Sequence, residues 1–447
     1  MPEPKLFAVA GRPIMHSLSP AMHNAAFHAC GINAIYTRIS ADDAAGALET
    51  ASEIGMAGLN ITAPLKEDCA ALCGRLEGAA AELGAVNTII LSKGRAVGHN
   101  TDCDGVAGAL SSAGVELSGA QAVVLGGGGA ARAAAHALLR KGAQVTVANR
   151  TEEKAREIAR ELGCLSCGIH GREFIEAMQG AGVVVSTLST GMRVVQPRLL
   201  RRGMAVLDAI YSQQTALSRD AAASGCNVIS GKEWLLWQGA TAFEIFTGRK
   251  APIRAMRNAI LHSRTTRAKN NIALVGFMGS GKSALATRIS ALFGMRLIDT
   301  DREIEKKWGK SIREIFEKDG EAAFRRLERR TVARAASSKG CVIACGGGAV
   351  LDRRNVAGLR RSCTVAWLWA SPREILRRVG KGKQRPLLNV QGRKAAVRRL
   401  LASRIPSYAY TADFVAKSNA KNVSGLVLDE VSDAKCASKK NCSRVDA

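Results

Sequence analysis

Two glycine-rich turns constrain this chain more than any other feature. Gly126-Gly127-Gly128-Gly129-Ala130-Ala131 follows the apolar run AVVL and precedes an alanine-rich stretch; Gly276-Phe277-Met278-Gly279-Ser280-Gly281-Lys282-Ser283 follows NIALV and precedes ALATRISALFG. Both read strand, tight loop, helix. A helix that starts straight after such a loop aims its unbonded N–H groups outward and attracts an anion. The flanking runs repeat the syntax: LFAVAG, AIYTRIS, GLNIT and VNTIILSKG come before the first turn, and QVTVANR, VVVST, MAVLDAI and CNVIS after it, with helical stretches between them. Strands alternating with helices predict parallel α/β sheets. At about 150 residues per domain, 447 residues make roughly three domains.

The fold class is therefore α/β. The expected order is an N-terminal α/β substrate domain over 1–105, completed by about 235–262, and a Rossmann-like domain over 106–234. A polar, basic linker follows at 263–271, then a P-loop α/β domain with a parallel sheet over 272–433. The tail 434–447, KCASKKNCSRVDA and the residue before it, has almost no apolar content and is predicted disordered. Glu233 to Ile260 reads as one helical stretch.

The chemistry of each turn follows from its neighbours. Gly126, Gly127, Gly128, Gly129 and Ala130 fit G-x-G-x-x-A, in which pyrophosphate approaches the backbone amides. The next strand ends in Asn149-Arg150-Thr151, where an acidic residue would accept the ribose hydroxyl of NAD. Arg150, with Lys154 one turn on, suits a 2′-phosphate instead, so the cofactor is NADP(H). The second turn is G-x-x-x-x-G-K-S: the amides around Gly279, Ser280 and Gly281 cradle the phosphates of ATP, Lys282 reaches the β- and γ-phosphates and Ser283 holds Mg²⁺. Asp299 and Asp301, two apart at the end of LIDTD, are expected on one strand face.

Net charge is +26, which by itself suggests a polyanion partner. The excess is uneven: residues 1–269 carry 28 Lys+Arg against 22 Asp+Glu, and residues 270–447 carry 36 against 16. A basic P-loop protein that binds nucleic acid, with a vestigial dehydrogenase, is thus an alternative. Aromatic residues make up only 4%, and Trp367 and Trp369 sit in the apolar run VAWLWA, so base-stacking platforms are not expected. Twelve cysteines without a secretory leader read as reduced thiols of a cytoplasmic protein. Cys164-x-x-Cys167 lies in an expected connection and has no second pair to complete a zinc site. No apolar run spans a bilayer. Monomer and homodimer stay open.

Polar residues of the first 105 positions collect in clusters: Gly11 to Pro20 with His23-Asn24, Asn60 to Lys66, Asn87-Thr88, and Asn100-Thr101-Asp102. Hydroxyls, amides, one Lys and one Asp are what a polyhydroxylated carboxylate needs. In this order the clusters resemble shikimate dehydrogenase, over residues 5 to about 262. The resemblance implies that Ser17 and Ser19 bind the substrate carboxylate. It implies that Thr62, Asn87 and Gln238, with Tyr211 nearby, bind its hydroxyls. Lys66 and Asp102 become the catalytic pair, and Met192 lies by the nicotinamide. Gln238 is expected at a helix start. The chain departs from the family at Ser186-Thr187-Leu188-Ser189, where Asn-Ala-Thr-Ser is usual, and at Phe246, where Trp is usual.

Residues 272 to about 433 resemble shikimate kinase. By motif, Asp301, Arg325, Gly347 and Arg404 bind shikimate, Asp301 at its hydroxyls and with a catalytic part, the arginines at its carboxylate. Asp299 joins Ser283 around Mg²⁺. Arg385, after the lid-like stretch Gly380 to Gln384, acts with Lys282 on the transferring phosphoryl group, and Arg378 flanks the adenine. Together the two resemblances imply a bifunctional enzyme of aromatic amino-acid biosynthesis acting on small molecules, with no nucleic-acid or membrane partner. A dehydrogenase half that prefers quinate or NAD is the closer alternative.

Overall fold

The computed structural model describes residues 3–92, 94–188, 193–263, 269–379 and 392–442, of which 435–442 as backbone alone. Its strands in chain order are β1 (Lys5–Gly11), β2 (Ala34–Ser40), β3 (Gly58–Ile61), β4 (Arg75–Leu76), β5 (Thr88–Ser92), β6 (Arg95–His99), β7 (Gln121–Leu125), β8 (Gln144–Asn149) and β9 (Leu165–Gly168). They continue with β10 (Val183–Ser186), β11 (Ala205–Asp208), β12 (Asn227–Ser230), β13 (Asn271–Val275), β14 (Arg296–Asp299), β15 (Cys341–Ala344), β16 (Cys363–Trp369) and β17 (Phe414–Lys417). Two compact units form: described residues of 1–20, 32–65 and 264–447 make one, and those of 21–31 and 66–263 the other. No helix among the described residues is long and apolar enough to cross a membrane.

In the first unit the strands run β14-β15-β13-β16-β17-β2-β1-β3, and every neighbouring pair is parallel. Strands β13, β15 and β16 are buried along their whole length, which explains their mostly apolar sequences. The unit differs from the expected division into an N-terminal substrate domain and a separate C-terminal one. Strand β17 pairs with β2 (Val415 with Ile39, Ala416 with Ser40), so the first strands of the chain extend the sheet of its last third. Left apart, β2 and β17 would each present unpaired N–H and C=O groups, and pairing satisfies both rows. Met15 packs into the same core as Leu274, Phe414 and Val427.

Two further expectations are corrected here. The strand carrying Asp299 stops there: Asp299 caps the helix Thr300–Trp308, and Asp301 lies in its first turn. Asp is a strong N-cap, and its carboxylate accepts from the Asp301 and Arg302 amides at 3.1 and 3.3 Å. The two carboxylates therefore do not share a strand face. The chain beyond 433 is not disordered up to Cys442, because the helix Val423–Cys442 runs through it. Extending a formed helix fixes one residue per new bond, and the alanines and lysines of DAKCASKK propagate it readily.

The second unit holds a six-stranded parallel sheet, β9-β8-β7-β10-β11-β12, the doubly wound order with the switch between β7 and β10. Val124, Val145 and Leu207 pack on one face of it, Val123, Val184 and Val206 on the other. The same unit carries an antiparallel pair, β5 with β6, turning at Gly94 (φ 76), where only parallel strands were expected. Cys167 lies on β9 rather than in a connection, because Leu165 to Gly168 forms the edge strand beside β8. The stretch 233–260 divides into helices Gly231–Thr247 and Ile253–His262. Left-handed Gly248 (φ 67) closes the first, and Pro252 stands at the N-cap of the second.

Candidate active sites

The glycine-rich turn after β13 opens a cavity of about 860 Å³ in the first unit. Gly276, Gly279 and Gly281 adopt φ of 147°, 80° and 97°, which an L side chain resists, and a Cβ on Gly276 would lie 2.5 Å from Leu368 O. No side chain caps the helix Lys282–Phe293 that follows, so its first N–H groups face the cavity. Lys282 is buried and donates to Gly276 O and Phe277 O at 2.8 and 2.9 Å. Ser283 Oγ donates to Asp299 Oδ2 at 2.7 Å, so a hydroxyl and a carboxylate converge as a pair of oxygen donors suited to Mg²⁺. Arg378 donates to Ser280 O at 3.0 Å and to Ser418 Oγ at 2.9 Å, which places it against the phosphate loop.

The same cavity is lined by Asp301, Arg325, Gly347 and Arg404. Arg325 Nη1 donates to Glu328 Oε2 at 2.8 Å and Nη2 to Glu321 Oε1 at 3.0 Å. Arg404 Nη1 and the Tyr408 hydroxyl both donate to Gly347 O, at 3.2 and 2.6 Å. Tyr408 stacks on Trp367 with ring centres 5.5 Å apart. Sequence reasoning missed Glu328, Tyr408 and Thr300. Glu328 is 1% exposed; burial pushes its carboxyl up, and the adjacent Arg325 charge opposes that. It stands three residues after Arg325 on one helix, a spacing that could have marked it. Thr300 Oγ1 accepts from Gly346 N at 2.9 Å and donates to Ala344 O at 3.3 Å, fixing the glycine loop after β15. Arg385 lies outside the described residues.

Residues expected at the reduction site fall in both units. In the first unit Ser17 and Ser19 are buried, Ser19 N donates to Ser17 Oγ at 3.3 Å, and Arg38 Nη2 donates to Ser17 O at 2.8 Å. Thr62 follows β3, and its amide donates to Ala10 O at 2.9 Å. In the second unit Lys66 Nζ is paired with Asp102 Oδ2 at the start of the helix Asp102–Ser112. Asn87 Nδ2 donates to Thr101 Oγ1 at 3.0 Å and to Gln238 Oε1 at 3.3 Å, so Thr101 is a further member of the cluster. Gln238 sits in the middle of its helix, not at the start, because Ser230 caps that helix eight residues earlier in the chain. A Cβ on Gly105 would meet Trp234 at 2.5 Å and Gln238 Cβ at 2.8 Å, so this glycine lets the Asp102 and Gln238 helices close up. Tyr211 is half-buried in the loop after β11.

At the first glycine-rich turn the helix Gly129–Arg140 begins with no side-chain cap. A Cβ on Gly126 would meet Thr187 Oγ1 at 2.1 Å, and one on Gly127 would meet Asn149 Nδ2 at 2.7 Å. The turn is thus a cradle that only glycine leaves open, which fits a pyrophosphate. Asn149 Nδ2 donates to Thr151 O at 3.0 Å and shapes the loop after β8, where Arg150 and Lys154 are exposed. Two exposed cations there fit a 2′-phosphate. Met192 lies outside the described residues.

A doubly wound sheet with this turn, followed by a P-loop cavity with its own acid and arginine wall, defines a dinucleotide-dependent oxidoreductase joined to a phosphotransferase. Family models match accordingly: "Shikimate dehydrogenase substrate binding domain" over 9–89, "Shikimate / quinate 5-dehydrogenase" over 109–210, "Shikimate 5'-dehydrogenase C-terminal domain" over 235–261 and "Shikimate kinase" over 278–435. The chain is similar to shikimate dehydrogenase (NADP(+)) of Halobacterium salinarum, 44% identical over 57% of this chain and 98% of the relative. It is similar to the crystal structure of shikimate 5-dehydrogenase from Thermus thermophilus in complex with NADP(H) and shikimate (TM-score 0.54, 34% identity, 57% of this chain and 98% of that one). Quinate dehydrogenase from Corynebacterium glutamicum in complex with NAD also matches (TM-score 0.54, 28% identity, 59% of this chain and 100% of that one). The chain belongs to the shikimate dehydrogenase family, with a shikimate kinase domain in its last third.

Proposed function

We propose that this chain reduces 3-dehydroshikimate to shikimate with NADPH and then phosphorylates the shikimate 3-hydroxyl with ATP and Mg²⁺. The observation that carries the reading is the cavity over the P-loop. Groups for a phosphate and its metal (Lys282, Ser283, Asp299) and groups for a hydroxylated carboxylate (Asp301, Arg325, Arg404) line it together. Ser17 and Ser19 bind the dehydroshikimate carboxylate, and Thr62, Asn87 and Gln238 its hydroxyls. Bound NADPH supplies the hydride; Lys66, held by Asp102, stabilises and protonates the oxygen that gains charge. In the kinase domain Arg325 and Arg404 clamp the carboxylate, Asp301 orients the accepting hydroxyl, and Lys282 and Arg385 balance charge on the transferring group. The basic surface has no nucleic-acid role in this reading, since Trp367 and Trp369 are each 1% exposed and unavailable for stacking. The site of action is the cytoplasm, where thiols such as Cys69 and Cys345 stay reduced.

The test is direct. Given 3-dehydroshikimate, NADPH and ATP–Mg²⁺, the protein should form shikimate 3-phosphate. Lys66→Ala should abolish the reduction and spare the phosphorylation, and Lys282→Ala should do the converse. If each single variant loses both activities, the two sites are not independent and the reading fails. Comparing shikimate with quinate and NADP with NAD in the reverse direction decides the substrate and cofactor.

A further inference from the structure

The segment that carries Ser17 and Ser19 is held by the last helix of the kinase domain. Within the first unit, Val423–Cys442 turns Asp429, Glu430 and Asp433, which lie within about one helical turn, toward residues 12–16. Ile14 N and Met15 N both donate to Glu430 Oε2, at 2.8 and 2.9 Å, and Ser40 Oγ donates to Glu430 Oε1 at 2.7 Å. His16 donates to Asp433 Oδ2 from its backbone N and from Nδ1, each at 3.0 Å. Arg12 Nε and Nη2 donate to Asp429 Oδ2 at 3.0 and 2.5 Å. One residue further, Ser17 O accepts from Arg38, whose Nη1 donates to Asp413 O of the kinase domain at 3.2 Å. Three successive amides just before Ser17 thus end on carboxylates of one helix.

Glu430 is the centre of this arrangement. It is 0% exposed, as is Ile14, while Ser40 and Met15 are each 2% exposed. A carboxylate so buried is costly unless donors surround it, and the two amides and the hydroxyl do so. The fit works in both directions: those donors stabilise the carboxylate, and the carboxylate fixes the φ/ψ of the residues that lead into the serine pair. The surface Coulomb contribution of Asp429 adds little by comparison.

We infer that Glu430 of the kinase helix is a positioning residue for the dehydrogenase, setting the place of the Ser17–Ser19 segment and with it the affinity for 3-dehydroshikimate. The inference rests on the assignment of Ser17 and Ser19 as carboxylate ligands. It makes the C-terminal helix of one enzyme a structural part of the other.

The experiment uses the full chain with Glu430→Ala, Glu430→Gln, Asp433→Ala and Ser17→Ala. For Glu430→Ala the KM for 3-dehydroshikimate should rise about tenfold, with kcat changed less than about threefold, because an unanchored segment loses substrate binding rather than chemistry. KM values of the kinase for shikimate and ATP should stay put. Glu430→Gln should restore KM to within about threefold, since its amide oxygen can accept from the two N–H groups and its NH₂ can donate to Ser40. Asp433→Ala, at a less buried position, should raise KM by a few-fold, and it carries the test if Glu430→Ala fails to fold. Should Ser17→Ala raise KM while Glu430→Ala, or Asp433→Ala in its place, leaves it within twofold, the positioning role is overturned. Should Ser17→Ala itself leave KM unchanged, the fault lies in the serine assignment and the inference falls with it.

Discussion

Replacing Gly348 with alanine moves one guanidinium without altering any charge. Gly348 has φ −105° and ψ −3°, a region open to all residues, so the backbone is not strained by the change. The new Cβ would lie 2.5 Å from Arg325 Nη1, 3.0 Å from Nη2 and 3.1 Å from Cζ. Heavy atoms in ordinary contact stand about 3.5 Å apart, so the guanidinium has to withdraw by roughly 1 Å. Its tethers, Glu328 and Glu321, sit on its own helix and let the side chain swing while keeping it charged and paired. Stability should therefore change by less than about 1 kcal/mol. The bond between Arg325 and the shikimate carboxylate should be lost, and a charge-assisted hydrogen bond is worth about 1.5–3 kcal/mol. That converts to a rise in KM for shikimate of roughly 10- to 100-fold in the kinase reaction. The assay is steady-state phosphorylation with shikimate varied at saturating ATP, beside a thermal melt and the dehydrogenase rate, both expected unchanged. A KM within twofold of the parent in a stable protein would refute the claim that Arg325, as placed here, binds the carboxylate.

Arg150→Ala should raise the KM for NADPH by about 10- to 100-fold and leave that for NADH nearly unchanged, because only the 2′-phosphate loses a partner; equal losses with both cofactors would contradict the assignment. His23 lies fully buried beside Phe27 and Phe246, and burial lowers its imidazole pKa to about 3. The folded form stays neutral while the unfolded chain takes up a proton below about pH 6.5, so the stability of the second unit should fall as pH drops from there toward 3. The loss by pH 5 is about 2 kcal/mol, and His23→Gln should flatten this part of the urea-unfolding profile against pH; an unchanged slope would show that other groups set it.

What the sequence discloses and what it conceals divide along physical lines. The two glycine turns are visible because each requirement is local: positive φ at Gly276, Gly279 and Gly281, and room for a ligand at Gly126 and Gly127. The Lys66–Asp102 pair and the Arg325 and Arg404 pair are legible only through the resemblance to the two families, whose motifs these positions match. The expected strand alternation of Asp299 and Asp301 gave way to capping, because the helix begins at Thr300. Glu328 looks like one more charge on a charged helix, and only the tertiary packing shows it 1% exposed. The β17–β2 pairing could not be read at all, since strand order between distant segments leaves no mark on either sequence.

That pairing also has a consequence for how the protein is made. Arg38 on β2 and Asp413 beside β17 are 375 residues apart in the chain. At translation rates of about 5–20 residues per second, β2 waits roughly 20 to 75 s for its neighbour to leave the ribosome. During that interval its outer edge is bare, and the Ile14 and Met15 amides lack Glu430. Nascent chains should thus expose this edge until Phe414 emerges, and early stop codons ahead of Phe414 should give products prone to edge-to-edge association.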